Sequence, residues 1–386
     1  MKRLFTSTLR LVSLLNLVAG VFNVYAQYSY SRQNYKDVRM LGRGNAGIAF
    51  VDDGTAAFLN PAGLASARAV SFRAIDFSFG GNQSFRDSYS ALAPMLSGGG
   101  SSQTLSQQFS PFLGKPLGIQ GSFFPHVMAP GFLFGGFDYF DLQFLYTDPV
   151  YPELAVDARN DYGLIFGYGN NIMNRLFFGA SIRYQNRKLI QQAFTADTMA
   201  TASLKTLQDA FLRGDGYGLN LGTQFKQPIG GGQTVGLGIT VEDVGQTRFK
   251  SNTRDQLPPP KQFQSINAGL GYAIKSTVMD GLFAFDVHDI RDRSTSFTKK
   301  IFTGLEIGLP TVDFRAGLYQ GYWTLGMTLR MFPLIEIDFT SYAEELGVMA
   351  SQKQNRWYMV GMTFGMDLKG ASVSGKKKQR YSIDKL

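Results

Sequence analysis

From about residue 69 to residue 368 the chain runs in short segments whose apolar side chains fall on every second position, the period of a β-strand. Tyr162, Leu164, Phe166 and Tyr168 share one face, and Gly163, Ile165, Gly167 and Gly169 the other. The next segment sets Leu176, Phe178, Ala180, Ile182 and Tyr184 against Phe177, Gly179, Ser181, Arg183 and Gln185. The pattern recurs at Val235 to Val241, Ile266 to Ile274, Phe283 to Val287, Val312 to Leu318, Trp323 to Met331 and Tyr358 to Leu368. The faces opposite the apolar rows carry Gly, Asn220, Gln224 and scattered charges in place of the Lys and Glu that coat a soluble sandwich. An apolar face turned to lipid and a small, polar face turned to a lumen satisfy this pattern, and closing the sheet removes edges that hydrocarbon cannot solvate. The expectation is an all-β, transmembrane antiparallel β-barrel of about fourteen strands.

Composition agrees. Only 17% of residues are charged, whereas the chain holds 44 Gly and 33 Phe, so part of its surface is covered by something other than charge. With no Cys, disulfide scaffolds and thiolate metal sites are excluded. The net charge of +9 sits mostly at Lys2, Arg3 and Arg10 and at Lys376, Lys377, Lys378, Arg380 and Lys385. The nearly neutral body has no basic field for tracking phosphates, which excludes nucleic acid as a partner.

The ends and links divide the chain. Lys2 and Arg3, the apolar stretch Leu11 to Phe22 and small Ala26 form a signal peptide over residues 1–26. Residues 27–66 are expected to plug the lumen, 67–368 to form the barrel, and 369–386 to be a basic periplasmic tail. Short links near 169–175, 227–233, 276–280, 309–311 and 332–333 alternate with longer ones at 186–213, 245–262, 290–298 and 343–355, the asymmetry of periplasmic turns and external loops. The link at 319–322 is a tight exception. Residues 81–129 and 199–213 read as external links with helical texture, whose apolar faces either shape a greasy mouth or close on each other as lids.

Gly42-Arg43-Gly44-Asn45-Ala46-Gly47 matches a dinucleotide-binding pattern, but no hydrophobic strand precedes it and Asp52 and Asp53 follow too early to meet a ribose. These glycines are read as backbone bends within the barrel. This segment, with Ala49, Asp52, Asp53, Ala56 and Asn60-Pro61-Ala62-Gly63-Leu64-Ala65, resembles the amino-terminal region of the FadL-like long-chain fatty-acid transporter superfamily. Arg315 to Tyr322, Leu325, Gly326, Ala343 to Gly347 and Arg356 resemble the closing strands of a short branch that also includes type IX secretion barrels. The resemblance spans roughly a third of the chain after the signal. It implies fourteen strands, a lumen occluded by the amino-terminal segment and passage of hydrophobic molecules. The chain departs from the family pattern where a polar tail follows Leu368.

Plug and gating residues are expected at Gly42, Gly44, Gly47, Asp52, Asp53, Asn60, Pro61 and Ala62. A lumen polar network is expected from Arg183, Glu242, Asp286, His288, Glu306, Asp313, Arg315, Arg330, Glu336 and Asp338. Asp286, His288 and Glu306 could meet, but no G-x-S-x-G or neighbouring serine supplies a nucleophile, so the chain is read as no enzyme. With His126 and His288 far apart and no carboxylate cluster at loop spacing, no metal site or cofactor is expected. The functional expectation is passive uptake or binding of hydrophobic, fatty-acid-like small molecules across the outer membrane of a Gram-negative bacterium, with outer-membrane lipid as surroundings. The alternative is a secretion-associated or scaffold barrel whose external loops bind a protein partner. The facing assignment expects Arg to be harmful at Leu237 or Leu270 and milder at Gly238.

Overall fold

The computed structural model describes residues 33–96, 110–147, 151, 153–195, 210–254, 256–332 and 334–368. The signal peptide, positions 27–32 of the plug, the periplasmic tail, most of the 199–213 helical segment and residues 104–109 of the second helical segment lie outside the described residues.

One antiparallel sheet of sixteen strands makes the wall. Its first half comprises β1 (Val70–Asn82), β2 (Pro116–Phe123), β3 (His126–Ala129), β4 (Phe132–Thr147), β5 (Glu153–Asn171), β6 (Leu176–Thr195), β7 (Leu212–Gly230), β8 (Gln233–Glu242) and β9 (Phe249–Ser251). The second half comprises β10 (Ser265–Lys275), β11 (Asp280–Val287), β12 (Ile301–Gly308), β13 (Val312–Tyr319), β14 (Tyr322–Arg330), β15 (Ile335–Glu345) and β16 (Gln354–Leu368). The sheet closes where β16 pairs with β1, Val70 opposite Leu368 and Asn82 opposite Trp357. β2 and β3 lie end to end between β1 and β4 and form one stave interrupted at Phe124 and Pro125, while β9 is a short addition beside β7. The result is a closed barrel of 14 strands. Among the described residues no helix is long and apolar enough to cross a membrane.

Two expectations about the links are corrected. Residues 81–129 are not a single link, because β2 and β3 occupy its second half. Gly118, Gly121 and Ser122 blunt the apolar alternation there, and Pro125 lacks the N–H that would continue the ladder. The first half is helical as expected, over Gln83–Asp87 and Tyr89–Leu96, and Ser110–Phe112 forms one 3-10 turn. The link read as 186–213 is also shorter, since β6 runs to Thr195 and β7 begins at Leu212. Beyond Tyr162 the same row continues through Asn160 to Ala158, Val156 and Leu154, but these last three are buried beneath the first long link. A period-two reading that looks for outward grease stops where the strand leaves hydrocarbon.

Strand length is uneven as a consequence. β5, β6 and β7 have 19, 20 and 19 residues, whereas β11, β12 and β13 have 8 each. At about 3.3 Å per residue and the usual tilt, the β4–β7 side rises roughly 20 Å above the opposite rim. This palisade stands on the end that carries the longer links.

Outward rows are apolar and exposed, as for Leu237 (52%), Leu270 (46%) and Phe314 (50%). Tyr184 and Tyr217 stand beside each other on the outer wall, ring centroids 5.3 Å apart, with Tyr162 on the next strand. These amphipathic rings mark the upper edge of the lipid-facing band. The glycines of the inner face, in contrast, are not spare room. A Cβ at Gly238 would lie 2.7 Å from the Ile48 carbonyl oxygen, so the expectation of a mild Gly238→Arg is corrected: the side chain would collide with the lumen segment.

Arg at Leu237 or at Leu270 should each destabilise the barrel by about 2–4 kcal/mol near the bilayer midplane, read as lost heat-modifiable migration of the folded barrel. Gly238→Arg should also fail, by expelling the lumen segment, whereas Arg at solvent-exposed Ile290 should leave folding unchanged.

Candidate functional site: the occluded lumen

Residues 33–66 fill the barrel, and their local structure follows from their caps and glycines. Asp37 opens the short helix Val38–Gly42 by accepting a hydrogen bond from the Met40 N–H at 3.0 Å. The chain then reverses through Gly44 (φ +67°) and Asn45 (φ 60°), two consecutive left-handed residues of the types that tolerate that region. After the turn helix Ala56–Leu59, Asn60 caps a 3-10 helix, Pro61–Ser66, its Oδ1 accepting from the Ala62 N–H at 3.2 Å.

Glycines of the wall let this backbone approach. Gly238 pairs with Gly269 and Gly236 with Gly271 across β8 and β10, making a trough for Ile48 and Phe50. Gly304 and Gly317, paired across β12 and β13, receive Arg43 and Gly44. A Cβ at Gly42 would stand 3.0 Å from Gly326 Cα. Gly222 leaves room for the Asn60 side chain, and Gly179 lies against Pro61.

Polar side chains then pin the segment to opposite walls. Asn60, 0% exposed, donates from Nδ2 to the Ile48 carbonyl at 2.9 Å and to the Thr223 carbonyl of β7 at 3.0 Å. Gln224 donates to the carbonyls of Ile48 and Val51 at 2.9 and 3.1 Å, Asn220 to that of Phe58 at 3.2 Å, and Ser181 to that of Ala57 at 2.6 Å. On the far wall, Asp286 accepts from the N–H groups of Gly47 and Ile48 at 2.6 and 3.0 Å, and Thr324 and Thr340 donate to the carbonyls of Gly42 and Val38. These bonds satisfy backbone groups that a dry lumen would otherwise leave unpaired.

The expected network residues divide into groups. Glu306, Asp313, Arg315, Arg330, Glu336 and Asp338 lie together on β12–β15. Arg315 bridges Glu306 at 3.1 Å, Asp313 at 3.3 Å and Asp338 at 3.7 Å, and Arg330 pairs with Asp313 and reaches Glu336 at 4.0 Å. Arg43 of the lumen segment joins at Glu306, 3.0 Å away. Arg183 stands apart, paired with Asp243 and donating to Asn220 at 3.1 Å. Glu242 bonds Asn267 at 2.8 Å. Asp286 and His288 are 3.6 Å apart, but Glu306 lies opposite Leu282, four positions along β11 from Asp286, so the three do not assemble. His288 rests on Phe302, ring centroids 4.4 Å apart. Of the lumen-segment acids, Asp53 accepts from Thr55 N–H at 3.0 Å and faces Arg39 at 3.2 Å, while Asp52 is half-buried.

Several partners escaped the sequence reading. Lys36, buried at the centre, bridges Glu344 at 2.5 Å and Asp141 at 3.3 Å. Burial alone would push its ammonium toward the neutral form, but Glu344 and other neighbouring groups outweigh that and hold its pKa well above the ordinary lysine value. Arg187 makes a two-pronged contact with Asp161, 2.7 Å at each nitrogen. The signal was a charge at an inward position of each strand, visible for Arg187 and Asp161 only once their register is known.

Two apolar clusters lie against the wall, the lower on its inner face and the upper on its outer face. The lower one gathers Tyr35 and Phe58 of the lumen segment with Phe124, Phe137 and Tyr139 of the wall, Tyr35 stacked on Phe58 at 4.6 Å and Phe124 edge-on to Phe58 at 5.2 Å. It abuts the interruption of the β2–β3 stave. The upper one lies on the outer face of the palisade, where Leu117, Tyr146, Leu154, Val156, Ile190 and Phe194 extend the outward rows and are covered by Leu92 and Phe112 of the first long link. Between the two runs the ion-paired girdle of Lys36, Asp141, Arg159, Asp161 and Arg187.

No family model and no curated protein matches this chain. Solved structures share its fold. The monoaromatic hydrocarbon channel CymD superposes with a TM-score of 0.50 at 10% identity, covering 86% of this chain and 98% of that one. The Ralstonia pickettii toluene transporter TbuX gives 0.47 at 11% identity over 88% and 100%, and the P. putida toluene transporter TodX 0.46 at 10% over 88% and 100%. The chain thus shares the closed antiparallel barrel fold of CymD, and a barrel is the fold that the resemblance implies. The resemblance to type IX secretion barrels has no counterpart in these three structures.

Replacing Asn60 by Ala removes the bond to the Thr223 carbonyl and the cap on the Ala62 N–H, while the Ile48 carbonyl keeps Gln224, which should destabilise the lumen segment by about 1–3 kcal/mol. Ion conductance of single barrels in planar bilayers should rise several-fold in Asn60→Ala, and an unchanged conductance would limit Asn60 to folding.

Proposed function

We propose that this protein binds hydrophobic small molecules at the outer rim of a Gram-negative outer membrane and passes them inward without energy input. The observation that carries the reading is the upper cluster. At the outer rim the outward rows of the palisade are not bare: Leu154, Val156, Ile190 and Phe194 are buried there under Leu92 and Phe112 of the first long link, which makes an apolar site on the outer face of the wall. A solute replacing Leu92 or Phe112 would gain about 25 cal/mol for each Å² of apolar surface it buries.

Inside the barrel the lumen segment obstructs the way. Its wholesale displacement would break the bonds of Asn60, Gln224 and Asp286 together and strip partners from buried charges at Arg43 and Lys36, which costs several kcal/mol for each orphaned ion. Passage therefore proceeds by local shifts around the Tyr35 and Phe58 rings, where the contacts are apolar and no buried ion has to be uncovered. Gly42, Gly44, Gly47, Asn60, Pro61 and Ala62 are in this reading the fixed frame of the gate, and Arg183, Asp313 and Arg315 hold that frame to the wall. CymD, TbuX and TodX, by their names a hydrocarbon channel and toluene transporters, fit this reading.

The test is influx of naphthalene into liposomes carrying the purified barrel, followed by its fluorescence. Leu154→Asp or Phe194→Asp should lower the initial rate at least fivefold, with the barrel still heat-modifiable. Equal rates in the variants and in protein-free liposomes would overturn the proposal.

A further inference from the structure

Where the lumen segment joins the barrel interior, a cavity of about 30 Å³ is lined by Gln33, Asn34, Asp37, Asn45, Thr55 and Glu242 among others. That is room for one or two atoms of water size. Its lining holds two carboxylates and no basic side chain. Asp37 is engaged by the Met40 N–H and by Arg39 at 3.5 Å. Glu242 accepts from Asn267 at 2.8 Å and forms no ion pair among the described residues. Asn34 is 5% exposed, and its Nδ2 is used by Asp243 at 2.8 Å, which leaves its Oδ1 buried without a partner. Gln33 Oε1 is likewise buried and unpartnered. Asn45, 4% exposed, brings an unpartnered Nδ2 to the same cavity.

Unsatisfied oxygens and an uncompensated carboxylate around an atom-sized space call for a positive occupant. A single water could serve the amides but would bring no charge to balance the buried Glu242 carboxylate. We infer that this cavity is a site for a hard cation of the calcium kind, held by the Glu242 carboxylate, Asn34 Oδ1 and Gln33 Oε1, with the field of Asp37 in support. Calcium accepts mixed carboxylate, amide and water oxygens in irregular geometry, and the Asn45 amide would donate to a water on the ion. Among the described residues no three His, Cys, Asp or Glu side chains cluster around a metal position. This site differs in drawing about half its donors from amides. A bound cation would tie Gln33 and Asn34 to β8 and to the Asn45 reversal, fastening the start of the lumen segment as Asn60 fastens its end.

The experiment uses the full chain purified in detergent and stripped with EDTA, titrated with terbium under tyrosine excitation, since Tyr35 lines the cavity. The expected result is saturable emission at one ion per barrel, reversed by calcium, with affinity lowered at least tenfold in Glu242→Gln and in Asn34→Ala. Heat-modifiable migration verifies the fold of each variant, and Asn34→Ala alone decides the matter if Glu242→Gln does not assemble. Absence of saturable emission, or emission of unchanged affinity in the folded variants, would overturn the inference and leave water as the occupant.

Discussion

The close approach of one backbone to another at the inner wall governs this structure. Gly236, Gly238, Gly269 and Gly271 make one trough, and Gly304 and Gly317 another, and the peptide planes of Ile48 to Phe50 and of Arg43 to Gly44 lie where side chains would otherwise stand. Once the backbone is that close, its N–H and C=O groups are out of water and have to be met by the wall. Asn60, Gln224, Ser181 and Asp286 supply those partners, and each lies on a strand adjoining a glycine trough or reaches across to one. The exclusion of water then obliges the charges to pair. Arg43 with Glu306, Arg183 with Asp243 and Lys36 with Glu344 are consequences of the same filling.

The lumen that results is layered. A girdle of ion pairs crosses its middle and an aromatic cluster borders the interruption at Phe124 and Pro125, while a second apolar cluster packs the outer face of the palisade. The girdle and the hydrogen-bonded parts of the lumen segment are rigid because moving them uncovers charge or backbone. The two apolar layers can rearrange without such a penalty, since one apolar contact substitutes for another at little loss.

The strand rows were legible from period two alone, because a closed barrel offers lipid on one side and a filled lumen on the other at every residue. The same rule explains what was missed. β2 carries glycine and serine where the alternation needs contrast, β3 follows a proline, and in β5 and β6 the outward rows are broken by Asn160, Asn186 and Lys188 before they resume at Ala158 and Ile190. The glycine-rich turn at Gly42 to Gly47 was recognisable as a set of bends, and Asn60 with Pro61 as a cap, since these depend on neighbouring residues. Glu306 and Asp286 could be assigned to the lumen but not to their partners, because a two-residue period gives the face of a side chain and not its height relative to the next strand.

The sequence by itself determined that the chain forms a barrel, which face of each strand meets lipid, and that the amino-terminal segment contains tight turns. Only the tertiary structure decided which glycine receives which peptide, that Lys36 sits between Asp141 and Glu344, and that Asn34 and Glu242 share a cavity. Those relations join residues as many as 308 positions apart. They arise from strand register and barrel closure, which set distances that no local pattern encodes.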